Sequence, residues 1–406
     1  MTAPPTPIAE APPAGDFALL EKARAVAAKV RRLTVAREGA MKVAHQAQVR
    51  EALTRVELVE ALHAALIARA ETEARLRAQA LETYRARRRP RPLRRHNRAS
   101  QALDRVLAKL GPLGQALVIA RSGVWEGGGF LAMAAYARRG ADPAAQPRAF
   151  LDQAWYLARY PDVAQARVAP LVHYLLAGGR EDRSPHPLFE GRAYRAANAQ
   201  ALAETSLTPL EHYARAGAAL GASPHPLFDV AHYLAQDPAL RPGEDPMAHY
   251  LREGGALGLS PHPLFDPGWQ AARAAAAAGV PGLSHYLAEG WRAGLSPHPL
   301  FDPAWYLAEN PHVAETGLEP LTHFLSVGAA EGRSPGPWFD LPAYAAARGE
   351  ALAPGVNPLV DYLRGGAWTV VEAKPGLPTA AYVAARPDLV AAGVTPLEHW
   401  ARRRAR

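Results

Sequence analysis

Histidine is the residue whose spacing in this chain invites a chemical role. Ten of the fifteen histidines fall on two recurring positions. His173, His212, His249, His285, His323 and His399 share one, and His186, His225, His262 and His298 share the other. A ladder of imidazoles could ligate metal or sense pH. The spacing argues against both. Neighbours within a class stand 36 to 39 residues apart, Asp361 replaces one member and Gly336 another, and the two classes lie 13 residues apart with no acid at a fixed place. Each histidine therefore reads as a structural group bonding a helix-end carbonyl or an extended strut. Two further sets could do chemistry. Trp155, Tyr156, Trp305 and Tyr306 could stack on sugars, although their helical spacing suits packing between neighbouring units better. Asp229, Asp266, Asp302 and Asp340 follow a phenylalanine, and Asp266 and Asp302 precede proline, which is the place of a helix cap rather than a general acid. No residue set is assigned a catalytic, cofactor-binding or metal-ligating role.

The elements that position these residues repeat. Phe150, Phe189, Phe228, Phe265, Phe301 and Phe339 open six units at spacings of 39, 39, 37, 36 and 38 residues. A period in this range is the signature of a stacked array. In the fifth unit Asp302 caps a helix begun by Pro303, and Phe301 and Tyr306 are placed to form a hydrophobic staple. Pro311 limits that helix. A second turn runs through Val313 to Gly317, a third helix runs from Pro320 to Gly328, and Gly332 to Pro337 is predicted to be extended. No such unit buries its aromatic face alone, so the fold class expected is all-α, stabilised by stacking. Residues 135–152 match the second half of a unit, and a seventh copy around Tyr382 and Trp400 stops before its strut. That stop suggests a polar end-cap, or a chain that continues in relatives.

The rest of the chain is built differently. Of 31 aromatic residues only Phe17 and Tyr84 precede Trp125, which places the core in the C-terminal part. The organisation expected is a disordered leader (1–15), an amphipathic helical or coiled-coil-like segment (16–89), a basic hinge with connecting helices (90–131) and the array (132–406). Within 16–89 apolar residues fall three and four apart at Val26, Val30 and Leu33, at Val49, Leu53 and Val56, and at Val59, Leu62 and Leu66. Arg37, Glu51 and Glu60 interrupt any continuous seam. The segment is either one long helix of roughly 100 Å or a hairpin broken near Gly39, and it is expected to self-associate.

Charge is local. Residues 85–98 carry eight arginines and no acid, equal to the whole net charge of +8. Arg87, Arg88, Arg89, Arg91, Arg94 and Arg95 form a solvated linker on the first reading, a contact with anionic lipid on the second and a nucleic-acid contact on the third. The lack of interleaved aromatics disfavours the last. There is no cysteine, hence no disulfide and no thiolate metal site. Neither a secretory signal nor a membrane-spanning run is found, and a cytoplasmic protein, at most peripheral to the inner membrane, is expected.

The phrases FDPAWYLAENPHVAETGLEPLTHFLSVGAAEGRSP (301–335) and YLARYPDVA (156–164) resemble the helical repeats found ahead of bacterial glycosyltransferase domains that build cell-surface polysaccharide. The resemblance covers roughly 132–406. In that family sugar transfer belongs to a separate nucleotide-sugar-binding domain with a doubly wound sheet. This chain shows no strand-rich run, no glycine-rich turn after a strand and no Asp-x-Asp motif. The resemblance thus implies a non-catalytic scaffold, partnered by a glycosyltransferase or another polysaccharide-assembly component. A degenerate or truncated glycosyltransferase and a carbohydrate-binding repeat module are the alternatives it leaves open.

Overall fold

The computed structural model describes residues 14–404, apart from 89, 92, 94, 95, 272–281, 370, 371 and 373–375. Most of the expected leader therefore lies outside the described residues. The protein is all-α: a long N-terminal helix is followed by short helices, and no strand is present among the described residues. No helix among them is long and apolar enough to cross a membrane. The chain forms two compact units, residues 1–63 and 64–406.

The first helix, α1 (Ala14–Ala86), is continuous through Gly39, so the hairpin alternative is not realised. The boundary between the two units falls inside it, after His63, rather than at the proline pair that ends the segment expected at 16–89. In the first unit Val26, Val30 and Leu33 are exposed, and so are Val49, Leu53 and Val56. At about 100° per residue these two sets lie roughly 140° apart around the helix. They make two patches rather than one seam.

In the second unit the remaining turns of α1 carry a single stripe. Leu66 and Tyr84 are buried, and Ile67, Ala70, Ala80 and Leu81 pack against the same core. After α1 come α2 (Arg98–Lys109), α3 (Gly111–Ser122) and α4 (Gly129–Arg139), then the array.

Each unit starts at an acidic cap. Asp152, Glu190, Asp229, Asp266, Asp302 and Asp340 mark units 1 to 6, each accepting a backbone N–H from three residues on. These acids reveal a register shift in unit 1. Leu151, not Phe150, stands at the opening position and is buried there. Phe150, one residue early, is only half-buried and stacks on His186. The strut returns to the beginning of its own unit: the Asp152, Asp229 and Asp302 N–H groups donate to the carbonyls of Pro185, Pro261 and Pro335 at 3.0, 2.8 and 3.0 Å. In units 1 to 5 the third helix widens into a π-helical turn, such as Phe324–Gly328, closed by the Ala329 N–H donating to the Phe324 carbonyl at 2.9 Å.

Neighbouring units are joined by a tyrosine hydroxyl placed at the N-terminus of the next unit's third helix. Tyr136, Tyr250 and Tyr362 accept the N–H groups of Leu171, Leu283 and Leu397 at 3.1, 3.2 and 3.1 Å. Where that helix has an acidic cap the hydroxyl donates instead, Tyr213 to Asp245 at 2.6 Å and Tyr286 to Glu319. Unit 5 has Phe324 at this place, and Asn357 of unit 6 caps its own helix by accepting from both Leu359 and Val360. These joints thus satisfy helix-end donors that burial would otherwise leave unpaired, while at the joint of units 1 and 2 Thr208 caps its own helix.

Contacts also recur three units apart. Arg364 of unit 6 pairs with Asp229 of unit 3, and Arg402 of unit 7 with Asp266 of unit 4. The array therefore coils with roughly three units per turn. The last turns of α1 run along this coil. Ala70 meets Gly365 of unit 6, Leu81 meets Gly221 of unit 2, and the Tyr84 hydroxyl donates to the Ala218 carbonyl at 2.9 Å. Gly365 has φ +127, and any methyl group there would overlap the Ala70 methyl. Only glycine fits both demands.

Candidate functional site

The first histidine class is bonded to tyrosine, not to a helix-end carbonyl. The Tyr156, Tyr194, Tyr233, Tyr306 and Tyr382 hydroxyls lie 3.1, 2.8, 2.6, 2.9 and 2.6 Å from Nδ1 of His173, His212, His249, His323 and His399. Each pair ties a unit's first helix to its third. In unit 6 Asp361 takes the histidine's place and accepts from Tyr344 at 2.7 Å and from Arg348 at 2.7 Å. In unit 4 Gln270 stands where the tyrosine would be. The tyrosine hydroxyl also fixes a glycine: at Gly178, Gly217, Gly254, Gly328 and Gly366 a Cβ would strike it. Burial lowers the pKa of His173, His212 and His323. At His249 the ring has a second polar neighbour, a Glu253 carboxylate oxygen 3.0 Å from Nε2, while the Tyr233 hydroxyl lies against Nδ1.

The second class holds the struts. Nδ1 of His186, His225, His262 and His298 accepts the N–H two residues on, from Leu188, Leu227, Leu264 and Leu300, at 3.0 to 3.1 Å. That bond requires a neutral ring protonated at Nε2. Burial supplies the neutrality, pushing His186 down to about 4 and His225 and His262 down to about 3. Among the described residues no three histidines or acids are grouped to hold a metal ion. Trp155 and Trp305 are half-buried, and the Trp155 ring meets Tyr160 edge-on at 6.3 Å.

The arginine-rich stretch is a strap rather than a freely solvated linker or hinge. The Arg91 N–H donates to the Arg215 carbonyl at 2.8 Å, and the His96 N–H to the Thr205 carbonyl at 2.7 Å. His96 then lies between two buried carboxylates, with Nε2 2.8 Å from Asp104 and Nδ1 3.6 Å from Glu211. Glu211, and to a lesser degree Asp104, raise its pKa against the opposing effect of burial. Arg121 shares Asp104 at 2.7 Å. Arg87 and Arg91 are exposed, Arg88 lies over the Tyr84 ring at 5.0 Å, and Arg89, Arg94 and Arg95 lie outside the described residues.

Two features escaped the sequence reading. The His96 cluster had one signal, a histidine alone in a run of arginines. The other is a groove of about 720 Å³ between the end of α1 and residues 234–244 of unit 3. Units 1, 2 and 5 place a second helix after the first, at Pro161–Ala166, Ala199–Thr205 and Pro311–Thr316. Unit 3 has none there: Pro238 and Pro242 interrupt the segment, and Asp237 takes a left-handed φ of 51°. The paired prolines were the readable sign.

Comparison of the chain with family models, with curated proteins and with solved structures found no match in any of the three.

Proposed function

We propose that this protein is a non-catalytic helical-repeat scaffold of bacterial cell-surface polysaccharide assembly, acting in the cytoplasm or at the inner membrane surface. One observation carries the non-catalytic part. The residues with the chemistry to act, the two histidine classes and the capping acids, are committed to joints within and between units. The two exposed apolar patches on α1 between Leu19 and Leu58 support an interaction role, with a partner protein or with a second copy. The polysaccharide assignment rests on the resemblance of the repeats. Exposed Arg87 and Arg91 support a peripheral contact with anionic lipid, and nucleic acid is the least favoured partner.

The test is affinity capture from native lysate with the full chain and with a variant carrying Val26→Ser, Val30→Ser and Leu33→Ser. The expected result is recovery of a glycosyltransferase or polysaccharide-assembly component by the full chain, and loss of that component by the variant. Turnover of a nucleotide sugar by the purified full chain, abolished by His323→Ala, would refute the scaffold reading.

A further inference from the structure

The geometry points to a binding site in the unit 3 groove for an organic diphosphate, its two phosphates held by Arg87, Arg88 and Arg241. The site exists because one repeat departs from the pattern. Without a second helix, the 235–245 segment of unit 3 runs as a loop and leaves about 720 Å³ open beside the last turn of α1. That volume is in the range of small-molecule sites.

The wall of this groove is unevenly charged. Arg87, Arg88 and Arg241 line it, and among the described residues none of the three guanidinium groups pairs with a carboxylate. The Arg88 guanidinium is stacked on Tyr84, and its Nη2 is shielded from solvent with no hydrogen-bond partner among the described residues. A buried charged donor left unpaired is costly unless a ligand completes it. The acids nearby give Arg88 no hydrogen bond, although the buried Asp245 carboxylate attracts it through space. Both Glu244 oxygens accept from Arg252, at 2.7 and 2.8 Å, and one also accepts the Arg241 N–H at 2.9 Å. Asp245 is held by the Tyr213 hydroxyl and the Ala248 N–H. Of the two acids in the lining, exposed Asp237 is then the one not already held by another arginine.

Guanidinium groups match phosphate oxygens in paired, planar hydrogen bonds. Three of them carry more positive charge than one carboxylate or one phosphate monoester can neutralise, and they suit two linked phosphates. Leu76, Leu240 and Pro238 supply an apolar wall for the organic part. The diphosphate could come from a soluble ester or from a lipid headgroup.

Calorimetry on the full chain with inorganic pyrophosphate tests the site, alongside flotation with phosphatidylcholine vesicles with and without added diacylglycerol pyrophosphate. Arg87→Gln with Arg241→Gln is the variant of choice, because both side chains are exposed and bear no contact needed for folding. Saturable pyrophosphate binding, weakened about tenfold or more by that pair with the melting temperature unchanged, is expected. Vesicle binding that needs diacylglycerol pyrophosphate, is displaced by pyrophosphate and is lost in the variant would support the site and name a lipid as its source. No binding of either probe, binding indifferent to the two substitutions, or equal competition by penta-glutamate would overturn it. Arg88→Lys, which keeps the charge and removes the planar fork, is expected to weaken pyrophosphate in the same direction.

Discussion

Gly365→Ala should be among the most damaging small substitutions in the molecule, and the cause can be isolated. The residue has φ +127, a conformation L side chains rarely adopt, and its missing Cβ is the space in which the Ala70 methyl sits. Backbone strain at such a position costs about 1–3 kcal/mol. Forcing a methyl into a packed contact costs about 1–3 kcal/mol more. Gly258 provides the control, since its φ is +72 and nothing lies within 4 Å of a Cβ added there. Gly258→Ala should cost only the left-handed penalty of about 1–2 kcal/mol. The steric share can be returned by Ala70→Gly, which leaves only the Ala70 Cα, 3.8 Å away, near the new methyl. Urea denaturation of the wild type, both single variants and the double variant closes a cycle. Ala70→Gly alone should cost about 1 kcal/mol in helix propensity. In the double variant Ala70→Gly should instead offset the Gly365→Ala loss, giving a coupling of about 1–3 kcal/mol. A coupling within about 0.5 kcal/mol of zero would mean that α1 does not dock on unit 6, and the reasoning would fail.

Tyr250→Phe removes the acceptor of the buried Leu283 N–H and should cost about 1–3 kcal/mol by urea denaturation. Phe324→Tyr should give no gain, because Asn357 already occupies the donors at that joint. Arg364→Met should destabilise by about 1–3 kcal/mol, more than Arg386→Met, because the Arg364 pair is part-buried between superhelical turns and the Arg386 pair with Asp388 is at the surface. pH separates two kinds of histidine. Burial depresses the folded pKa of His186 to about 4 and of His225 to about 3, so their contribution is full above the unfolded value near 6.5 and is lost progressively as pH falls from there through the folded values. His96 is raised, so its contribution is full below about 6.5 and is lost as pH rises through its folded value. His186→Asn should therefore flatten the acid side of a melting-temperature profile, and His96→Gln the other side. Unchanged slopes would contradict the assignments.

Much of the array was legible because its punctuation is local. An acidic residue at the N-cap, followed by proline in units 4 and 5, and a proline-rich strut announce each unit within a few residues. The opening phenylalanine misled in unit 1, where Phe150 is displaced by one residue and Leu151 does its work; the cap at Asp152 was the more reliable marker. The tyrosine partners of the histidines lie 16 to 18 residues away on another helix, a separation that no periodicity encodes. Arg364 and Asp229 are 135 residues apart, and their meeting follows only from the coiling of the array. The strap was hidden for a different reason. Arginine-rich composition reads as solvated, whereas this segment is fixed by its backbone N–H groups and by one histidine. The change of role along α1 was blurred because Val59, Leu62 and Leu66 resemble the earlier apolar sets, although only Leu66 of these three is fully buried.

The central claim is that α1 divides in two, with residues from Ala64 onward built into the array and those before it proposed to meet a partner. Amide hydrogen exchange on the full chain measures this directly. Residues 64–86 should be protected to the level of the repeat helices, and residues 14–63 should exchange orders of magnitude faster. Uniform exchange from 14 to 86, whether fast or slow throughout, would contradict the account.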